Sequence, residues 1–132
     1  MTQDMDENER ALVEAFIVPS KRERYRTLLA NAKRRSRILN GLNHCEDLDP
    51  RYATTLASTA DVVGLLRSKG APERCHLVSD IPALDGREMP LDDAVSETEA
   101  GMFGTLIGCI PGKLAYYHDE GGGRRLLLER GS

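Results

Sequence analysis

Tryptophan is absent from the sequence and other aromatic residues are scarce, which argues against a core built on large rings. Aromatic residues make up 5% of the 132 residues, whereas hydrophobic residues as a whole make up 40% and charged residues 30%. This composition is typical of a globular domain with an aliphatic core. A chain of this length can bury one core, so we expect a single domain over residues 1–130. We interpret residues 131–132 as a remnant of expression.

Long hydrophobic runs are also missing. The longest weakly polar stretch, residues 101–112, is well short of the roughly 20 apolar residues that a membrane-spanning helix needs, and it contains Pro111. The first residues are acidic and lack the basic and apolar segments of an export signal. We therefore expect a cytoplasmic protein that has no membrane partner.

Cysteine is scarce, and the residues present are Cys45, Cys75 and Cys109. An odd number of widely spaced cysteines does not form a disulfide framework, which agrees with a reducing compartment. Cysteine and histidine are residue types that bind zinc, but their spacing here does not predict a site, because structural zinc sites usually draw on ligands two to four residues apart. We expect no metal and no cofactor.

Opposite charges are segregated into neighbouring segments near the N-terminus. Residues 1–20 contain five acids and one base, whereas residues 21–40 contain eight bases and one acid. Adjacent blocks of opposite sign either pair within the fold or present an electric field to a partner. Deciding between these two arrangements is the main functional question.

Hydrophobic periodicity predicts that the first third of the chain is helical. One helix is expected over residues 6–18, ended by Pro19, and a second is expected to begin at Ser20 and to be ended by Gly41 or Asn43. Ser20 and Glu23 have the spacing of a capping box. The short link predicts a helical hairpin that places the acidic segment against the basic one.

Two further helix starts are predicted before the first strand. Asp49 and Pro50 suit the N-cap and first position of a short helical turn. Ser58 with Asp61 offers a second capping box, for a helix that ends at Gly70.

Turn-forming residues bound short apolar runs in the rest of the chain. The predicted strands lie at residues 75–79, 105–110, 113–118 and 124–129. Pro111 and Gly112 suit a type II turn, so the last three strands should form an antiparallel meander. A helix over residues 90–98 is interpreted as a crossover on the same side of the sheet as the N-terminal helices. The predicted class is α+β: a helical hairpin and short helices, then a small, mostly antiparallel sheet.

Positive side chains form a stripe along the second predicted helix. Its members, on one flank beside the core-directed face, are Arg22, Arg26, Lys33 and Arg37. Such a stripe can follow nucleic-acid phosphates, because Lys and Arg neutralise backbone charge regardless of base sequence. The net charge of −3 and the few aromatic residues favour instead a stripe that is solvated, paired within the fold or bound to a protein.

A small enzyme is one alternative to a binding domain. Cys109 is the candidate nucleophile, and the expected register places it about 13 Å along the ladder from His118. His76 is therefore the remaining candidate base. Asp85, in an acidic loop, is the candidate for acid–base chemistry, although acids near a helix start also complement its dipole.

The expected function is that of a non-enzymatic binding or interaction domain. The partner is another protein or a second copy of the chain, held by the second helix or by an exposed edge of the sheet. Nucleic-acid binding through the basic helix and a small Cys/His or acidic-loop enzyme are the alternatives. No motif in the sequence identifies a substrate.

Overall fold

In the computed structural model of the protein, the described residues are 7–31, 35, 47–57, 59–100, 104–119 and 124–130. Within them the chain forms one six-stranded sheet with α-helices on both faces. The predicted α+β class is confirmed, as is the order of N-terminal helices before the sheet. No helix in these ranges is both long and apolar enough to span a bilayer. Residues 131–132 lie outside the described residues.

The elements of the described residues are short. The α-helices are α1 (Glu7–Phe16), α2 (Arg22–Leu29), α3 (Val62–Ser68) and α4 (Leu91–Ala100). Turns of 3₁₀-helix lie at Pro19–Lys21 and Pro50–Tyr52. The strands are β1 (Ala53–Thr55), β2 (Arg74–Ser79), β3 (Glu88–Pro90), β4 (Thr105–Ile110), β5 (Leu114–His118) and β6 (Arg125–Glu129).

The start of α2 differs from the prediction. The chain enters α2 through the turn at Pro19–Lys21, and the N-cap residue is Lys21, with no side-chain cap bond. The capping box of Ser20 and Glu23 is therefore wrong, because Pro19 itself starts a helical turn with its fixed φ and missing N–H. Helix α2 ends at Leu29. Of the predicted continuation, residues 32–34 and 36–43 lie outside the described residues.

Other local signals are confirmed or corrected at single residues. Asp49 caps its helical turn by accepting a hydrogen bond from the Arg51 N–H at 3.0 Å, as predicted. Asp61 is itself the N-cap of α3, accepting from the Gly64 N–H at 3.1 Å, rather than the third residue of a box begun by Ser58. Ser58 lies outside the described residues.

Every neighbouring pair in the sheet is antiparallel, in the order β1-β6-β5-β4-β2-β3. The predicted meander of β4, β5 and β6 is confirmed. Gly112 has a φ of +74°, and the Lys113 N–H donates to the Ile110 carbonyl at 2.9 Å, as a type II turn requires. A two-residue turn without a bulge would place Cys109 opposite Leu114, but a bulge at Cys109 places Ile110 there instead.

The helix after Pro90 is a crossover, as predicted, and it connects β3 to β4. The loop at residues 80–87 reverses the chain into β3, which pairs antiparallel with β2. Helix α4 therefore starts at the end of the sheet where β2 begins, and the chain returns as β4 antiparallel to β2. Strands β3 and β4 lie on either side of β2 and are both antiparallel to it, so they are parallel to each other and α4 crosses over β2 between them.

Successive side chains of a strand point to opposite faces of the sheet, and a hydrophobic core lies on each face. Val78, Leu106 and Tyr117 pack with α1 and α2 on one face. Their chain neighbours, such as Leu77 and Ile107, pack with α3 and α4 on the other. The expectation that all helices lie on one side is wrong, because the side chains of the central strands are buried at nearly every position, on both faces of the sheet.

Candidate functional site

The basic stripe of the second helix is partly used inside the fold. The Arg22 Nε donates to the Ile17 carbonyl at 2.9 Å, and Arg26 Nη1 pairs with Glu14 Oε1 at 2.6 Å. Lys33 and Arg37 lie outside the described residues. The Glu14–Arg26 pair confirms that the acidic helix packs against the basic one, whereas a binding role for the stripe stays a prediction.

A buried ionic cluster lies where α1, β2 and the loop at residues 80–87 meet; we call it the Arg35 cluster. Its members are Glu9, Arg35, His76 and Asp85. Glu9 is 2% exposed, and its carboxylate lies 2.7 Å and 3.0 Å from the Arg35 guanidinium and 2.9 Å from His76 Nε2. Asp85 bonds the opposite side of the guanidinium at 2.8 Å and 2.7 Å.

Every N–H of the Arg35 guanidinium has an acceptor. Besides the two carboxylates, Nη1 donates to the Leu29 carbonyl at 2.9 Å, so all five donors of the side chain are satisfied. Asp85 also accepts from the Ser79 N–H at 3.1 Å. Full satisfaction is what a structural ion cluster requires, since an unpaired buried charge is costly.

Electrostatics keep the cluster ionised. Burial by itself raises the pKa of Glu9, but hydrogen bonds from His76 and Arg35 outweigh it and hold the pKa below its usual 4.5. The hydrogen bond to Asp85, followed by the one to Glu9, raises the pKa of Arg35 further above its ordinary value. The cluster therefore holds the Glu9 carboxylate and the Arg35 guanidinium in their charged forms at neutral pH.

The sequence singled out neither Glu9 nor Arg35 as a site residue. A signal for Glu9 was present, because it precedes Leu12 by three residues and Phe16 by seven, which puts it on the buried stripe of α1. A carboxylate on an apolar stripe predicts a cation beside it in the core, because an unpaired buried charge is costly. Nothing in the sequence identified Arg35 as that cation, or Asp85 as its second partner 50 residues away.

The structure separates the candidate catalytic residues. His76 and Asp85 both belong to the Arg35 cluster, on the face covered by α1. Cys109 is buried on the opposite face, among the side chains packed by α3 and α4. The cavity beside Glu9 measures about 10 Å³, which is near the size of one water. These side chains do not converge on a space that could admit a substrate.

The edge of the sheet formed by β1 leaves backbone groups open. The Leu56 N–H donates to the Arg125 carbonyl of β6 at 2.8 Å, so alternation turns the Thr54 backbone towards β6 and that of Ala53 and Thr55 outwards. The Ala53 N–H is taken by the Pro50 carbonyl. The Ala53 carbonyl and both polar groups of Thr55 then have no partner within the described ranges.

The edge formed by β3 is blocked. The Arg87 carbonyl and the Leu91 N–H form hydrogen bonds on the β2 side. Because successive backbone groups alternate in direction, those of Glu88 and Pro90 point away from β2. Pro90 has no N–H, and the Glu88 carbonyl accepts from Arg74 Nη2 at 3.3 Å. Proline and a local charge are ordinary means of preventing an edge from pairing with another strand.

An open groove runs beside β1. Its volume is about 190 Å³, and it is lined by Leu48, Pro50, Ala53, Thr55, Arg124 and Leu126. The apolar floor is provided by side chains of the core, whereas Arg124 is exposed and has no ion-pair partner among the residues described. The groove and the outward backbone groups of β1 together form what we call the β1 edge.

Positive charge surrounds the β1 edge. Arg51 and Arg130 lie over the Tyr52 ring, 5.2 Å and 4.8 Å from its centroid, and stack as cations on a π-face. Arg51 also pairs at 2.7 Å with Asp49, whose side chain is only 4% exposed while that of Arg51 is 64% exposed. Among the described residues that line the groove, Arg124 adds a further exposed cation.

The described residues contain no group of three or more histidine, cysteine or acidic side chains arranged to hold a metal ion. No protein-family model, curated protein or solved structure matches the chain.

Proposed function

We propose that the chain is a binding domain that takes up an acidic, extended segment of a protein partner along the β1 edge. The proposal is carried by the backbone groups of Thr55, which have no partner among the described residues, beside a groove that is lined in part by the exposed Arg124. An added strand would extend the sheet at its accessible edge and place alternate side chains in the groove.

The pattern of open groups favours a peptide over a nucleic acid. Thr55 presents both an N–H donor and a carbonyl acceptor, and Ala53 adds a second carbonyl. A peptide strand has complementary donors and acceptors in register, whereas a phosphate offers only acceptors and would face the two carbonyls without a proton between them. The backbone of β1 therefore selects against phosphate contacts.

The charges favour an acidic partner over a second copy of the chain. Pairing β1 of one copy with β1 of another would bring Arg51, Arg124 and Arg130 of both copies to one interface. Like charges across an interface oppose association, whereas acidic side chains on the added strand would be attracted. Notably, the strand is three residues long, so the groove contacts must supply part of the affinity.

The test uses a labelled synthetic peptide with alternating Glu and Val residues, compared with the same peptide carrying Lys in place of Glu. Fluorescence anisotropy should show binding of the acidic peptide only. Thr55→Pro removes the outward N–H without touching the ladder to β6, and Arg124→Glu reverses the charge at the groove. Each should weaken binding about tenfold or more, the equivalent of about 1.4 kcal/mol.

Matched controls separate the site from general effects. Thr54→Val changes an exposed side chain on the same strand but leaves the outward backbone intact, and Arg87→Glu reverses an exposed charge beside the blocked edge. Both should bind the acidic peptide like the wild type. Equal binding of the two peptides, or undiminished binding by Thr55→Pro and Arg124→Glu, would overturn the proposal. So would preferential, salt-dependent binding of a mixed-sequence oligonucleotide.

A further inference from the structure

Two cysteines that are 34 residues apart in sequence face each other across neighbouring strands. His76 of β2 pairs with Gly108 of β4, so one step further along the ladder Cys75 lies opposite Cys109. Both thiols are free and buried, at 2% and 4% exposure. Their sulfur atoms are 3.7 Å apart.

The register places this pair where a disulfide fits an antiparallel sheet. The Leu77 N–H bonds towards β3, to the Arg87 carbonyl, so alternation makes Cys75 a non-hydrogen-bonded position with respect to β4. Such pairs have Cα atoms about 4.5 Å apart, which lies within the range that disulfides span. Cys109 is also the bulged residue of β4, and the added local twist eases side-chain adjustment.

The two thiols differ in acidity. The hydrogen bond with Cys109 lowers the pKa of Cys75, despite its burial. The same hydrogen bond, together with burial, raises the pKa of Cys109. Cys75 is thus the sulfur that ionises first, and the thiolate is the form that reacts with oxidants.

Cys75 lies next to the edge of the sheet that is formed by the short strand β3. Its other neighbour is Met89 of β3, a strand of three residues at the edge. Short edge elements open at low free-energy cost compared with the core. A small oxidant can therefore reach Cys75 without global unfolding.

We propose that Cys75 and Cys109 form a reversible oxidation site, at which a peroxide converts the two thiols into a disulfide that joins β2 to β4. The Cys75 thiolate attacks the peroxide and becomes a sulfenic acid as hydroxide leaves and takes up the thiol proton. The Cys109 sulfur then attacks the Cys75 sulfur, and its own proton leaves with the hydroxyl group as water. In sum, two thiols and one hydrogen peroxide give one disulfide and two waters.

Oxidation should stabilise the fold. The bond closes a loop over residues 75–109, which restricts the unfolded chain and leaves the native strands in register. We expect the thermal midpoint to rise on oxidation and to return to its starting value after reduction by dithiothreitol.

The experiment treats the full-length folded protein with hydrogen peroxide and measures intact mass, alkylation of free thiols after denaturation, and the thermal midpoint. The expected product has lost two hydrogen masses, and proteolytic mapping finds a linked peptide pair that contains Cys75 and Cys109. Cys45→Ser should behave in the same way. Cys75→Ser and Cys109→Ser should each lose both the mass change and the reversible midpoint shift.

Mapping on the wild-type chain keeps the test decisive if a variant does not fold. The proposal is overturned if both cysteines remain alkylatable under peroxide exposure that oxidises the denatured chain. It is equally overturned if the product gains oxygen mass as sulfinic acid, or if Cys75 or Cys109 is found linked mainly to another cysteine.

Discussion

At the scale of single residues, Arg35 joins parts of the chain that share no sequence signal. Its guanidinium connects Glu9 on α1 with Asp85 in the loop after β2. The Glu9–Arg35 and Glu14–Arg26 pairs both link the acidic N-terminal segment to the basic one that follows. The opposite charge blocks therefore pair within the fold, at least at these two positions.

We predict that Arg35→Gln destabilises the protein by about 3 kcal/mol, because it leaves the Glu9 and Asp85 carboxylates without their cation. The value lies at the lower end for a buried pair, since the Arg35 side chain is 17% exposed. Urea denaturation measures the free energy of unfolding. Arg24→Gln, at an exposed position of α2, should change it by less than about 0.5 kcal/mol. Equal effects of the two substitutions would show that the cluster contributes no specific stability.

At the scale of elements, the two edges of the sheet are built differently. Strand β3 ends in Pro90 and has its outward Glu88 carbonyl occupied, whereas in β1 neither backbone group of Thr55 has a partner in the described part of the chain. An open edge is a hazard for aggregation unless it has a partner or is short. This asymmetry is the reason for placing the partner at β1.

The turn between β4 and β5 also belongs to this scale. Gly112 has a φ of +74°, and a side chain added there meets nothing within 4 Å, so backbone strain alone decides the cost. We predict that Gly112→Ala destabilises the protein by about 1–2 kcal/mol, and that Gly112→Asn costs less because Asn tolerates this conformation. Thermal or urea denaturation tests this order. An Asn variant less stable than the Ala variant would contradict it.

At the scale of the whole molecule, acid should weaken the fold in two steps. Burial lowers the pKa of His118 below its usual 6.5, and its Nδ1 has no hydrogen-bond partner in the described part of the chain. The unfolded chain therefore binds a proton more readily, and stability is lost as the pH falls below about 6.5. Glu9, whose pKa is lowered, contributes stability that is present above 4.5 and is lost as the pH falls through its folded value.

We predict that the free energy of unfolding, measured in urea between pH 8 and pH 3, falls in this order. His118→Gln should abolish the decrease that begins near pH 6.5 and leave the one below pH 4.5. Glu9→Gln should abolish the decrease below pH 4.5 and leave the one that begins near pH 6.5. Its free energy of unfolding at pH 8 should be lower than that of the wild type. A free energy of unfolding that stays constant between pH 7 and pH 5 in the wild type would contradict the effect predicted for His118.

The sequence by itself determined the α+β class, the final meander, the turn at Gly112 and the cap at Asp49, because each depends on periodicity or on residues that are neighbours in the chain. It left open which face each helix covers and how the charged side chains pair. Those depend on contacts such as Glu9–Arg35 and Cys75–Cys109, which join residues that are far apart in the sequence. Only the tertiary structure decided that β1 is an edge strand. Which of its N–H groups point outwards depends on its register with β6, the strand it pairs with.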